Sequence, residues 1–450
     1  MGTSVVVSTL VEPIQSENLA VRLGARVRYP LADSLLRLYR RRGSVTSVGG
    51  RRGYTYLLGP EANQFVFARS GSFRWGRALD FLRPVDGETS MLLSDGDDHR
   101  RRRRLVEPGL HHRRIADHVP TMAANADAVI DQWHPGEEHD AFAQFRAAIR
   151  RTTLDTLFGP SLASDAQWLG EDLQVMIDLC DALPQVVGTR RRLRTPLWRR
   201  AMASRDRVDA RIHAEIARVR GLGAGAEASI MDTLVHGRDG DGAGLADEEI
   251  RDQAVTLIVA GYETTSALLG WALHAMLAQP EVWARAAEEV ATVVGDAPPT
   301  AGQVRAMPYL NGVVSEALRL WAPVVVLARW LAEPISFAGK DIQPGRSVVI
   351  SPYLTHRLPE LWPEPLEFRP QRWIEGDALH RKPKPYEYLP FGGGAHRCVG
   401  AAMAVTEVAV MLARILARTD ISLVPQRIRP RSMVTMKPRD GVRIRVQSVR

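Results

Sequence analysis

Cysteine is nearly absent from this chain: Cys180 and Cys398 stand alone among 450 residues, far apart and without a CxxC pairing. That argues against a disulfide framework or a zinc cluster and points to a reducing, cytoplasmic setting. Long apolar runs are missing too. No stretch approaches the roughly 18 uninterrupted apolar residues of a membrane span. The most apolar one, Val399 to Ala417, is broken by Glu407 and Arg414. The first residues, MGTSVVVSTLVEPIQSEN, lack the basic start and apolar run of a signal peptide. No transmembrane anchor is expected. Internal repeats and inter-domain linkers are also absent, so residues 1–450 read as one domain.

Lysine is the scarcest charge. Only Lys340, Lys382, Lys384 and Lys437 occur among 59 basic residues, and the arginine bias, with abundant Ala and Gly, fits a GC-rich bacterial genome. The net charge of +8 and the run HRRRRR, His99 to Arg104, raise the question of nucleic acid. Successive helical residues turn by about 100°, so five adjacent arginines point all around the axis. No aromatic platform or zinc-finger spacing accompanies them, and no nucleic-acid partner is expected.

What is present is mostly helix. SVTSV and YTYLL flank GGRRG as a β-hairpin over Ser44 to Leu58. From Ala116 to Val219 the pattern is helical, followed by two glycine-rich loops. Asp247 is placed to cap a helix running to Gln279, where Pro280 closes it. It is apolar on most faces and so should be buried. ISFAGKDIQPGRSVVIS reads as a strand pair, and a last helix follows Cys398. The expected class is mainly α with a small β region, about 44–58 and 330–355.

Four short stretches carry chemistry. FGGGAHRCVG, Phe391 to Gly400, sets a thiol behind three glycines, a loop that lets backbone approach something flat or bulky. A thiolate there is a nucleophile or a metal ligand. AGYETT, Ala260 to Thr265, puts Gly261, Glu263 and Thr264 inside the long apolar helix. It reads either as a kink with a buried pair or as a proton relay, Glu263 exchanging with water and Thr264 donating to a ligand. SEALRLW holds Glu316 and Arg319 three apart among apolar neighbours, and EFRPQRW offers Arg372 as a second guanidinium.

In their order and spacing these stretches resemble the cytochrome P450 haem-thiolate monooxygenases along essentially the whole chain. FGxGxHxCxG is matched at Phe391, Gly392, Gly394, His396, Cys398 and Gly400. The resemblance implies the P450 fold, a long central helix over haem and the cysteine loop on the opposite face. It implies haem b with Cys398 as axial ligand, Phe391 packed near the sulfur, and Gly392 lying against the porphyrin. Ala260, Gly261, Glu263 and Thr264 would form the oxygen-side wall. His99, Arg103, Arg329 and His396 would hold the propionates, and Glu316, Arg319 and Arg372 would form a structural triad. Gln371 and Trp373 depart from the family's commoner Glu and Phe.

The implied reaction inserts one oxygen atom from O2 into an apolar organic substrate. The chain has no dinucleotide fingerprint and no room for a fused reductase. Electrons from NAD(P)H would then arrive through a separate ferredoxin and ferredoxin reductase. A same-fold peroxygenase or isomerase and a non-catalytic haem sensor are the rival readings. A monomer is expected. Substrate contacts by analogy fall near Gly76 to Met91, Val175 to Arg200 and Val324 to Leu327, with a lipid, sterol or terpenoid as substrate. RRRLRTPLWRR, Arg190 to Arg200, which the resemblance places in a lid over the substrate entrance, reads either as a solvated basic face or as a lid that rests on anionic lipid or collects an acidic amphipathic substrate, with Trp198 at the interface. Cys180 reads as an inert core thiol.

Overall fold

The computed structural model describes residues 30–450 apart from 51–52, 228 and 432–433. The N-terminal stretch read above for a signal peptide, and the two arginines of the GGRRG turn, lie outside the described residues.

The β region gathers strands from both ends of the chain. The hairpin forms as expected, β1 (Val45–Val48) antiparallel to β2 (Tyr54–Leu57), with Val48 opposite Tyr54. A five-stranded sheet adds β3 (Phe73–Arg74), β4 (Leu327–Leu331) and β7 (Ser347–Ile350), in the order β1-β2-β7-β4-β3. The stretch read as one strand pair divides: β5 (Ile335–Phe337) and β6 (Lys340–Ile342) form their own hairpin, while β7 joins the sheet.

The helices that build the site are α1 (Gly96–Val106), α2 (Ala141–Phe158), α3 (Ala166–Cys180), α4 (Pro184–Leu193), α5 (Pro196–Leu222), α6 (Asp247–Leu277), α7 (Pro308–Leu320) and α8 (Ala401–Arg418). Their starts follow local chemistry. Asp140 accepts from the Ala143 amide at 3.2 Å to cap α2, and Pro184, Pro196 and Pro308 sit at first positions where no amide donor is needed. α6 has 31 residues, about 46 Å at 1.5 Å per residue. It ends two residues before Gln279. Asp247 is its first residue, not its cap, which is Ala246; Asp247 instead pairs with Arg220.

α6 packs on α2, α5, α7 and α8 at the centre of the main apolar core. From Ile250 to Met276 only Val259, Ala260, Gly261 and Thr264 escape full burial. Among the described residues one helical stretch, 394–418, is long and apolar enough to cross a membrane, and 61% of its most apolar window is buried within the protein.

Candidate active site

A cavity of 360 Å³ lies between α6 and the loop that precedes α8. On the loop side, the Cys398 amide donates to the Phe391 carbonyl at 3.0 Å and closes the turn. Gly392 and Gly394 adopt φ of +67° and +66°, a backbone region that side chains avoid. Cys398 is exposed, and it lines the cavity. Its densely packed surroundings push the thiol pKa up, against the pull of a backbone hydrogen bond at Gly400 and the positive Arg103 and Arg397.

Across the cavity stand the four accessible residues of α6, Val259, Ala260, Gly261 and Thr264. The glycine has a packing cause as well, since a Cβ there would meet Thr153 Cγ2 of α2 at 3.1 Å. The Thr264 hydroxyl donates to the Ala260 carbonyl at 2.8 Å, so its lone pairs face the cavity side. Glu263 is engaged differently from a free relay. Arg146 of α2 donates to it at 2.9 Å through Nε, and Lys437 pairs with its other oxygen. Burial raises this carboxyl's pKa, and the two cations overcome that effect and hold it below the usual range.

Two of the four basic residues, His396 and Arg329, pack on Trp75, which sequence reasoning missed, and His99 joins them through His396. His396 stacks on Trp75 at 4.4 Å and on His99 at 3.8 Å, while the Arg329 guanidinium lies over the Trp75 ring at 3.2 Å. Arg329 is buried, with a hydrogen bond to its neighbour's carbonyl and no carboxylate partner among the described residues. Burial lowers its pKa to about 9 and that of His99 to about 4. Arg103 also braces the cysteine loop, donating to the carbonyls of Ala395 at 3.0 Å and Arg397 at 2.7 Å. Three more of the run are tied up internally, Arg101 and Arg102 reaching Glu249 and Arg100 pairing with Asp97, while Arg104 is exposed.

Behind the loop, Glu316 and Arg319 are fully buried and joined at 2.9 and 2.8 Å. Arg372 donates to Glu316 at 3.2 Å, the Arg369 amide at 3.0 Å and Trp373 Nε1 at 2.9 Å. The departure at Trp373 thus adds a donor that Phe cannot supply. His356, also unanticipated, accepts from the Leu389 amide at 2.8 Å and contacts the Arg319 carbonyl at 3.2 Å. It ties the triad to the segment entering the cysteine loop.

Other lining residues come from the expected contact regions, among them Leu82, Val85, Ile177, Val324 and Leu327. Cys180 is buried, donates weakly to the Phe81 carbonyl at 3.4 Å and has its pKa pushed up by burial. Trp198 packs half-buried against the core rather than facing outward. Two further carboxyls line the cavity, Asp86 and Glu407, with pKa values raised by burial to about 7 and about 8. They lay in apolar stretches with no motif to mark them.

A cysteine-bearing glycine loop facing a long buried helix across one cavity defines a haem-thiolate oxidoreductase of mainly α fold. The chain belongs to the cytochrome P450 family, whose model matches residues 28–444. It is 48% identical over 425 residues to "Putative cytochrome P450 139" of Mycobacterium bovis, covering 94% of this chain and 99% of that protein. It is 31% identical over 374 residues to "Cyclooctat-9-en-7-ol 5-monooxygenase" of Streptomyces melanosporofaciens, covering 81% and 80%. The fold matches that of retinoic acid-bound cyanobacterial CYP120A1, with TM-score 0.81 at 23% identity over 92% of this chain and 93% of that one. The protein is a P450 monooxygenase, and its family carries haem on a cysteine thiolate.

Proposed function

We propose that this protein hydroxylates, or otherwise oxidises, an apolar organic substrate in the cytoplasm, using O2 and electrons from NAD(P)H delivered by a separate ferredoxin and its reductase. Haem b, which Cys398 would hold through its thiolate, would supply the oxygen-activating chemistry. The observation that carries the reading is the shared cavity, walled by Cys398 and Phe391 on one side and Ala260, Gly261 and Thr264 on the other. The donor set supports this cofactor. Arg329 has no ion pair among the described residues, and with Arg103 it offers guanidinium donors for two propionates, beside which His99 and His396, their pKa values lowered by burial, would stand as neutral partners.

In this reading Gly392 and its neighbours let backbone approach the porphyrin, and Phe391 shields the sulfur. Thr264, whose hydroxyl proton is engaged by the Ala260 carbonyl, presents its oxygen to the cavity and would donate to a bound ligand only on turning away from that carbonyl. Glu263, clamped by Arg146 and Lys437, serves first as a fixed negative charge that orients the α6 wall; moving protons requires it to leave one of those cations. The apolar lining suits a lipid, sterol or terpenoid skeleton, and one relative is named for oxidation of cyclooctat-9-en-7-ol.

A peripheral lipid contact joins the proposal. Arg191, Arg192, Arg194, Arg199 and Arg200 are exposed, with no side-chain ion pair among the described residues. Leu183, Val186 and Leu193 beside them are 53%, 41% and 67% exposed. These leucines and the valine, rather than the packed Trp198, would meet the apolar phase.

The test is turnover with a surrogate ferredoxin and reductase. Steady NADH-dependent product formation supports the monooxygenase. Product formed only with added peroxide favours the peroxygenase reading, and tight ligand binding with no product favours a sensor.

A further inference from the structure

We infer that Asp86 is the polar anchor of the substrate site, recognising a hydroxyl group on an otherwise apolar substrate. The inference rests on the oxidation of a small apolar molecule proposed above and adds to it a specific functional group.

Asp86 closes the short helical turn Arg83–Asp86. Its side chain is buried, lines the cavity among Leu82, Val85, Leu92 and Val259, and makes no hydrogen bond among the described residues. Unpaired buried carboxyls are costly, so one that persists needs a reason. The segment that bears it is held in place. The Thr89 amide and hydroxyl donate to Asp252 at 2.8 and 2.7 Å, and the Met91 amide donates to Gln253 at 2.7 Å. Gln253 returns a bond to the Thr89 carbonyl at 2.8 Å, and Ser90 meets Thr256 at 2.7 Å. All three partners lie on α6, so the carboxyl is fixed relative to the Thr264 wall. An acceptor held rigidly in an apolar cavity is the arrangement that orients a ligand.

The charges around Asp86 choose among donors. Arg251 and Asp252 of α6 act on it with opposite sign, Cys180 of α3 lies within its field, and Arg205 of α5 bonds the adjoining Pro84 carbonyl at 3.2 Å. Arg251 and Arg205 are themselves paired with Asp209 and Asp252, so the surroundings add little net charge, and the burial that disfavours an ionised Asp86 disfavours an ammonium ligand with it. A carboxyl whose pKa lies near neutrality can accept from, or donate to, a neutral hydroxyl. An alcohol fits both states.

The experiment compares cyclododecanol, its methyl ether and cyclododecyltrimethylammonium as ligands of the haem-loaded protein, by calorimetry and by the haem optical shift. The alcohol should bind about tenfold more tightly than the ether, as one buried hydrogen bond provides. Asp86→Leu should abolish the preference while keeping ether binding. Asp86→Asn should retain most of it but lose its rise between pH 6 and pH 8. Equal affinities for alcohol and ether in the wild type would overturn the inference, as would tighter binding of the ammonium or an unaltered preference in Asp86→Leu. The carbon monoxide spectrum of each variant separates these failures from failure of the haem reading.

Discussion

The two sides of the cavity treat buried charge in opposite ways. Behind the cysteine loop, Glu316 receives two bonds from Arg319 and further ones from Arg372, Trp373 and the Arg369 amide. On the α6 side, Glu263 depends on two long cationic side chains from distant parts of the chain, and Asp86 has no hydrogen-bonding partner among the described residues. The first arrangement has no polar group left over and suits a permanent support. The second keeps charge near the reacting space, where ligand and proton can act on it.

Breaking the support should have the largest effect. Glu316→Ala strands Arg319 and Arg372 in the interior, a loss of about 3–5 kcal/mol and much of a domain's net stability. Little haem-loaded protein should be recovered, as read from the ratio of Soret to protein absorbance. Soluble, fully loaded variants would remove the contrast.

A smaller loss is expected on the α6 side. Glu263→Gln leaves Arg146 and Lys437 without their shared counter-charge and should cost on the order of 2 kcal/mol, because both cations retain some solvent. A Glu263→Gln, Lys437→Met pair should recover part of this loss in thermal melts. Such a loss would separate a clamped charge from a pure relay, under which the Gln change would be silent for stability. Thr264→Ala should leave stability intact and divert O2 to peroxide, measured as product formed per NADH consumed.

The two α6-side carboxyls also differ in pH dependence. Glu263 has a depressed pKa, so its stabilisation is present above the ordinary carboxylate pKa and is lost as pH falls through its folded value. Asp86 is raised from 3.8 to about 7, so the folded state holds a proton that the unfolded state releases, and stability falls as pH rises across that window. In melting curves from pH 4 to pH 8 the stability of wild type relative to Asp86→Asn should fall as pH rises, since the buried histidines with lowered pKa contribute equally to both. An identical slope in both would show that Asp86 is not the group responsible.

The contrast also explains what could be read from the sequence. The support was legible because its parts are local: Glu316 and Arg319 share one helix face, and Arg372 follows within a recognisable stretch. The cysteine loop was legible because positive φ and close backbone approach demand glycine. Arg146 and Lys437 are 117 and 174 residues from Glu263, and no periodicity links them. Asp86 and Glu407 look like ordinary acids until packing removes their solvent. His356 and Trp75 likewise acquire their roles from tertiary stacking and bonding. The caps and ends of α6 shifted by a residue or two because side-chain competition at helix ends is settled locally.

The smallest effect belongs to the exposed arginines. Near an anionic surface each contributes about 1 kcal/mol, fading within a Debye length. Arg199→Glu with Arg200→Glu should weaken salt-sensitive binding to anionic vesicles, and Leu193→Ser should weaken what remains at high salt. Wild-type protein that ignores such vesicles at low salt would end the lipid proposal without touching the rest.

The most direct test is the spectrum of the reduced protein under carbon monoxide. The wild type should show the red-shifted Soret band typical of thiolate ligation, and Cys398→Ser should lose it. An unchanged band in the Ser variant, or none in the haem-loaded wild type, would contradict the assignment of Cys398.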